Sequence, residues 1–73
     1  MVNENFWKLR KKLQFSQLGL AVSAQVSPAM VSAVEKYNYI PGAKVRTKLA
    51  GALGVKESMI WPEIETAEVA VGQ

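Results

Sequence analysis

Two short segments of helical apolar periodicity meet at Ser27-Pro28, and this dipeptide constrains the fold more than any other feature of the chain. Serine is a preferred helix N-cap, and proline at the first helical position gives up no hydrogen bond, because that amide has no intrahelical partner anyway. A helix therefore begins here. The segment before it starts at Ser16, whose hydroxyl can accept a backbone N–H from Gln17-Leu18-Gly19-Leu20-Ala21, and it must end within Val22-Ser23-Ala24-Gln25-Val26. Two short helices in such close succession have helix-turn-helix spacing.

The flanking segments are also helical. Phe6, Leu9 and Leu13 recur at i, i+3 and i+7, predicting an amphipathic first helix with Lys8, Lys11 and Lys12 on its opposite side. Arg10 falls close to the apolar stripe, so it must snorkel or find an acidic partner near the core. In the second helix, Gly19 stands where Glu or Gln would complete a capping box and lowers helix propensity by roughly 1 kcal/mol relative to Ala. Packing of Leu20, Ala21 and Ala24 must compensate, and side chains this small let another helix approach closely. On the third helix Met30, Val31 and Val34 point one way, while Pro28, Ala29, Ser32, Ala33 and Lys36 occupy an arc of about 140° on the other. A merely solvated face would carry Glu and Lys. This one is almost uncharged, which suits close approach to a protein partner or to the floor of a DNA groove.

Tyr37-Asn38-Tyr39-Ile40-Pro41-Gly42 reads as a loop, since Asn tolerates the left-handed conformation and Pro41 disfavours helix at Ile40. Val45, Leu49, Ala52 and Leu53 then predict a fourth helix closed by Gly54, with Lys44, Arg46 and Lys48 largely exposed. A short fifth helix around residues 57–61 carries Met59, Ile60 and Trp61 and is stopped by Pro62. Residues 63–73 are acidic and rich in small side chains, and no firm structure is assigned to them.

A chain of 73 residues, 49% of them hydrophobic, supports one domain. The expected division is residues 1–61 as that domain and 62–73 as an acidic tail. Cys, His and Asp are absent. That removes disulfides, thiolate metal sites and the commonest proton shuttle. Ser16, Ser23, Ser27, Ser32 and Ser58 have no His to activate them, and the six Glu form no metal-ligand pattern, so neither an enzyme nor a metal or cofactor is expected. Residues 1–56 hold all nine Lys and Arg against two Glu, net +7, whereas residues 57–73 hold four Glu and no cation, net −4. Such asymmetry points to a polyanionic partner for the body. With no apolar run near the roughly 18 residues of a membrane span and no signal-peptide pattern, a soluble cytoplasmic protein is expected.

Leu9-Arg10-Lys11 and Ser16-Gln17-Leu18-Gly19-Leu20-Ala21 resemble the opening and the first motif helix of the phage-repressor-like helix-turn-helix family, of Cro and XRE type. Val26-Ser27-Pro28-Ala29-Met30-Val31-Ser32-Ala33-Val34-Glu35 resembles that family's second motif helix, and Pro41 with Leu49-Ala50-Gly51-Ala52-Leu53-Gly54-Val55 the helix that follows. The likeness spans residues 6–61 in one register. It implies an all-α, compact five-helix lambda-repressor-like domain that binds double-stranded DNA as a homodimer, with the third helix in the major groove. It makes Gln17 a phosphate contact and puts Ser27, Pro28, Ala29, Ser32, Ala33 and Lys36 where relatives reach bases or adjacent phosphates. It also pairs Arg10 with Glu35.

Two departures bear on the backbone. Gln25 stands where relatives commonly place Gly in the turn, and Tyr37 where Gly often ends the recognition helix. Both positions are expected to need an altered backbone, part of which Asn38 can absorb. A third departure is chemical, because Pro28, Ala29 and Ala33 cannot hydrogen-bond to base edges, so specificity is expected from DNA shape or from Asn38 and Tyr39. Ile60, Trp61 and Ile64 either fill the core or form a two-fold contact between copies. The expected function is a sequence-selective transcriptional regulator, a repressor by resemblance. The alternative is an adaptor that uses the same scaffold to bind protein.

Overall fold

Each of the first three helices begins at a side chain that accepts an otherwise unpaired amide. In the computed structural model, which describes residues 3–64, Asn3 Oδ1 accepts from the Phe6 amide at 3.0 Å and starts α1 (Glu4–Lys12). Ser16 Oγ accepts from Gly19 at 2.8 Å and starts α2 (Gln17–Ala24). Ser27 Oγ accepts from Met30 at 3.1 Å and starts α3 (Pro28–Tyr37), with Pro28 in its first turn. α4 (Ala43–Leu53) and α5 (Glu57–Ile60) follow Gly42 and Lys56 without side-chain caps. Residues 62–64 form a further helical segment, and no strand occurs among the described residues. The architecture is all-α. No single helix among these residues is long and apolar enough to cross a membrane.

α2 and α3 are bent relative to each other by 119° across residues 25–27. Gln25 makes the corner with φ 60° and ψ 44°, and its N–H bonds to the Ala21 and Val22 carbonyls. Left-handed backbone at a non-glycine residue costs roughly 1–2 kcal/mol, so the corner is held against a local preference. At the other end of α3, Asn38 takes the left-handed position with φ 52°. Tyr37 stays helical and the displaced turn falls one residue later, on a side chain that tolerates it. Gln14, with φ 63°, is a third such residue, unforeseen in the sequence. Gly19 has a reason of its own: a Cβ there would stand 3.0 Å from Ser16 Oγ, so the missing side chain leaves room for the cap.

The core is one cluster of Phe6, Leu20, Ala21, Ala24, Val31, Val34, Leu49, Ala50, Leu53, Ile60, Trp61 and Ile64. α2 packs mainly on α3 and then on α4, while α1 packs on α3 and α5. The small Ala21 and Ala24, both buried, make those close approaches possible. Full burial of the largest of these side chains contributes roughly 1.5–3 kcal/mol apiece.

Four sequence expectations are corrected. Leu13 is half-exposed: it is the C-cap of α1, with its N–H still bonded to the Leu9 carbonyl, and the chain turns off at Gln14 directly after it. Arg46 is half-buried rather than exposed, for reasons of pairing given below. Pro62 opens a helical segment as well as closing α5. Ile64, in a stretch given no firm structure from the sequence, is buried in the core cluster. The remainder of the acidic tail, residues 65–73, lies outside the described residues.

Relief of the corner is measurable. Gln25→Gly is expected to raise stability by about 0.5–1 kcal/mol in urea unfolding, the removed strain being partly offset by a freer unfolded chain. Gly54→Ala, at φ 70°, is expected to lower it by about 1 kcal/mol.

Candidate nucleic-acid interface

The pair of helices on which the candidate interface rests is fixed from within by a buried charge network. Arg10 Nε donates to Glu35 Oε1 at 2.6 Å, Nη2 to Glu35 Oε2 at 3.0 Å, and Nη1 to the Phe15 carbonyl at 2.8 Å. Gln17 Nε2 adds a fourth bond, to Glu35 Oε2 at 3.1 Å. An ionised carboxylate only accepts, so it must meet the nitrogen of that amide and not the oxygen. Burial pushes the Glu35 carboxyl up, but the hydrogen bonds from Arg10 and Gln17, with the charges of Arg10 and Lys11, outweigh it and hold the group below the usual carboxylate range. α1, α2 and α3 are thereby joined at one point.

Asn3 extends the network, and sequence reasoning missed it. Its backbone N–H donates to the Glu35 carbonyl at 2.9 Å and its Nδ2 to the Ile60 carbonyl at 3.0 Å, while Oδ1 caps α1. The one signal for it is an N-cap residue type three positions ahead of Phe6, the first residue of the apolar stripe. A second ion pair lies across the molecule. Arg46 Nε donates to Glu57 Oε1 at 2.9 Å and Nη1 to the Pro41 carbonyl at 3.1 Å, and Thr47 Oγ1 donates to Glu57 Oε2 at 3.2 Å. Both arginines are therefore engaged inside the protein, and all seven lysines remain exposed.

The outward arc of α3 is populated as its periodicity requires. Pro28, Ala29 and Lys36 are exposed and Ser32 and Ala33 half-exposed, opposite the buried Val31 and Val34. Ser27 is exposed, and with its oxygen accepting from Met30 its O–H remains to be donated outward. Tyr39 is exposed and Asn38 partly so, at the C-terminal end of α3. Gln17 sits at the first position of α2 with its side chain turned partly inward onto Glu35, a placement the sequence did not suggest. Ile60 and Trp61 are fully buried and Ile64 nearly so, and in the folded chain they fill the core.

A shallow concavity of about 550 Å³ between α4 and α5 is lined by Thr47, Ala50, Gly51, Val55, Lys56, Glu57, Ser58 and Ile64, none of them on α2 or α3. Among the described residues no group of His, Cys, Asp or Glu is placed to hold a metal ion. No protein-family model matches the chain, and no curated protein matches it.

Removing one member of a buried pair leaves the other charge uncompensated. Arg10→Met is expected to lower stability by about 3–5 kcal/mol in denaturant unfolding. Because the folded Glu35 carboxyl binds its proton less tightly than the unfolded one, the stability it contributes is complete above the ordinary carboxylate range and is lost as pH falls through and below it. Urea midpoints are expected to decline below about pH 4, and Glu35→Gln to lower the plateau while making that decline shallower.

Proposed function

We propose that the chain is a sequence-selective double-stranded DNA-binding regulator of the phage-repressor-like helix-turn-helix kind, with α3 entering the major groove. The observation that carries this reading is the geometry of α2 and α3. Two helices bent by 119° over a three-residue turn lie within the range of roughly 90–120° and 3–4 residues typical of DNA-reading helix pairs. The chemistry of the surface agrees. An outward arc that is small and uncharged over its first two turns lets the α3 backbone come close to base edges, and exposed lysines supply the phosphate attraction.

On this reading Lys36, Gln17, Ser27 and the free amides at helix starts hold phosphates, the face of Pro28, Ala29, Ser32 and Ala33 fits the groove by shape, and Asn38 and Tyr39 add to specificity from the end of α3. The protein acts as a homodimer, with the two α3 helices about 34 Å apart on successive major grooves. A protein-binding adaptor is the second reading, and it is favoured by Leu18 and Val22, 62% and 71% exposed one helical turn apart on α2.

Selection from random duplex DNA at stated salt separates the two. The DNA reading requires enrichment of a common sequence; retention of every duplex alike, or of none, leaves the adaptor. Lys36→Ala is expected to weaken binding to all sequences and flatten the salt slope by about one unit, whereas Ser32 or Ala33 substitutions are expected to change the enriched sequence. Sedimentation showing one protein per selected site would overturn the dimer.

A further inference from the structure

We infer that Glu35 is a positioning residue for the DNA interface: its carboxylate holds one N–H of the Gln17 amide inside the protein and leaves the other directed to a phosphate at the start of α2. The inference rests on the DNA-binding reading and adds a role for a side chain that itself touches no DNA. Glu35 is buried, so no nucleic acid reaches it. Its Oε2 accepts from Arg10 and from Gln17, and the Gln17 side chain, only partly covered, bridges that buried oxygen and the surface.

A glutamine amide carries two N–H donors and one acceptor oxygen. A free surface glutamine rotates, presenting oxygen or nitrogen to an approaching phosphate with little preference. Phosphate, like carboxylate, accepts only, so half of those orientations repel it. The carboxylate at 3.1 Å removes that ambiguity by demanding nitrogen. The second hydrogen, on the same nitrogen and with no partner among the described residues, is then presented with no rotamer to freeze. One further feature suits an anion at this spot: the Leu18 amide, like that of Gln17, begins α2 without an intrahelical partner. Arg10 completes the arrangement by neutralising Glu35, which would otherwise repel the phosphate that Gln17 is set to receive.

A double-substitution cycle tests this with a duplex enriched from a random 30-base-pair pool by the full chain. Gln17→Ala is expected to weaken binding roughly tenfold, the loss of one hydrogen bond to a charged group. Glu35→Asp keeps the charge that Arg10 needs but draws the oxygen back from Gln17. It is expected to weaken binding roughly two- to tenfold in the original chain, the effect of one side chain left to be ordered on binding, and to have no effect in the Gln17→Ala background. Equal losses in both backgrounds would mean that Glu35 acts only on the fold, and the inference would fall while the DNA reading stood. If Glu35→Asp does not fold, side-chain amide resonances of the unaltered chain decide. One Gln17 amide proton should be shielded from exchange before DNA is added, and the other should shift on addition; two equally labile protons in the free chain, or no shift, overturn the inference. A chain that enriches no duplex overturns the inference and the DNA reading together.

Discussion

A guanidinium and a carboxylate taken out of water each cost several kcal/mol unless nearly all their hydrogen-bonding capacity is met. The junction of α1, α2 and α3 is arranged around that demand. Arg10 spends three nitrogens and Glu35 both oxygens, and the partners come from four places in the chain: Arg10 on α1, the Phe15 carbonyl in the following loop, Gln17 on α2 and Glu35 on α3. A hydrophobic contact among the same helices would tolerate sliding by an ångström, whereas fork-to-fork bonding does not. This matters most for α2, which has only eight residues, a glycine in its first turn and no charge there to favour the helix dipole. Its position is dictated by what it touches more than by its own propensity.

The internal use of Arg10 and Arg46 restricts what is left for recognition. Guanine is most often read by a bidentate Arg, and this protein has no arginine free for the task. Lys36 is the sole cation on the outward arc of α3, and a flexible ammonium is a better anchor for phosphate than a reader of bases. On the DNA-binding reading, discrimination then falls to the fit of a low-relief helix against the groove, to the hydroxyls of Ser27 and Ser32, and to the ease with which a given duplex deforms.

Much of the scaffold was legible because its signals are local. Ser16, Ser27 with Pro28, and Gly54 mark helix ends by chemistry that acts within four residues, and the alternation of Val31 and Val34 with Ser32 and Ala33 marks the two sides of α3. The requirement that Arg10 find an acid follows from its angular position alone. What escaped were features that depend on the path between elements. Leu13 belongs to the stripe by spacing, yet at the C-cap, where the chain turns off at Gln14, it is left half-exposed. Arg46 looks solvated on its own helix, and only the return of the chain at Glu57 covers it. Asn3 links two distant carbonyls, those of Glu35 and Ile60, whose proximity no periodicity encodes. At the candidate interface the outward arc was readable as geometry, while the inward turn of Gln17 was not, because it depends on a carboxylate eighteen positions away.

The chain's two tryptophans occupy opposite extremes. Trp61 is sealed in the core, and its indole Nε1 finds no acceptor among the described residues, a defect worth roughly 1–3 kcal/mol that the bulk of the ring evidently outweighs. Trp7 lies half in solvent on α1, with the Lys11 ammonium 6.0 Å from its ring centre. The protein thus carries two native optical gauges of different colour: a blue-emitting one that shifts to the red when the interior opens, and a redder one that reports on the lysine-bearing side of the first helix.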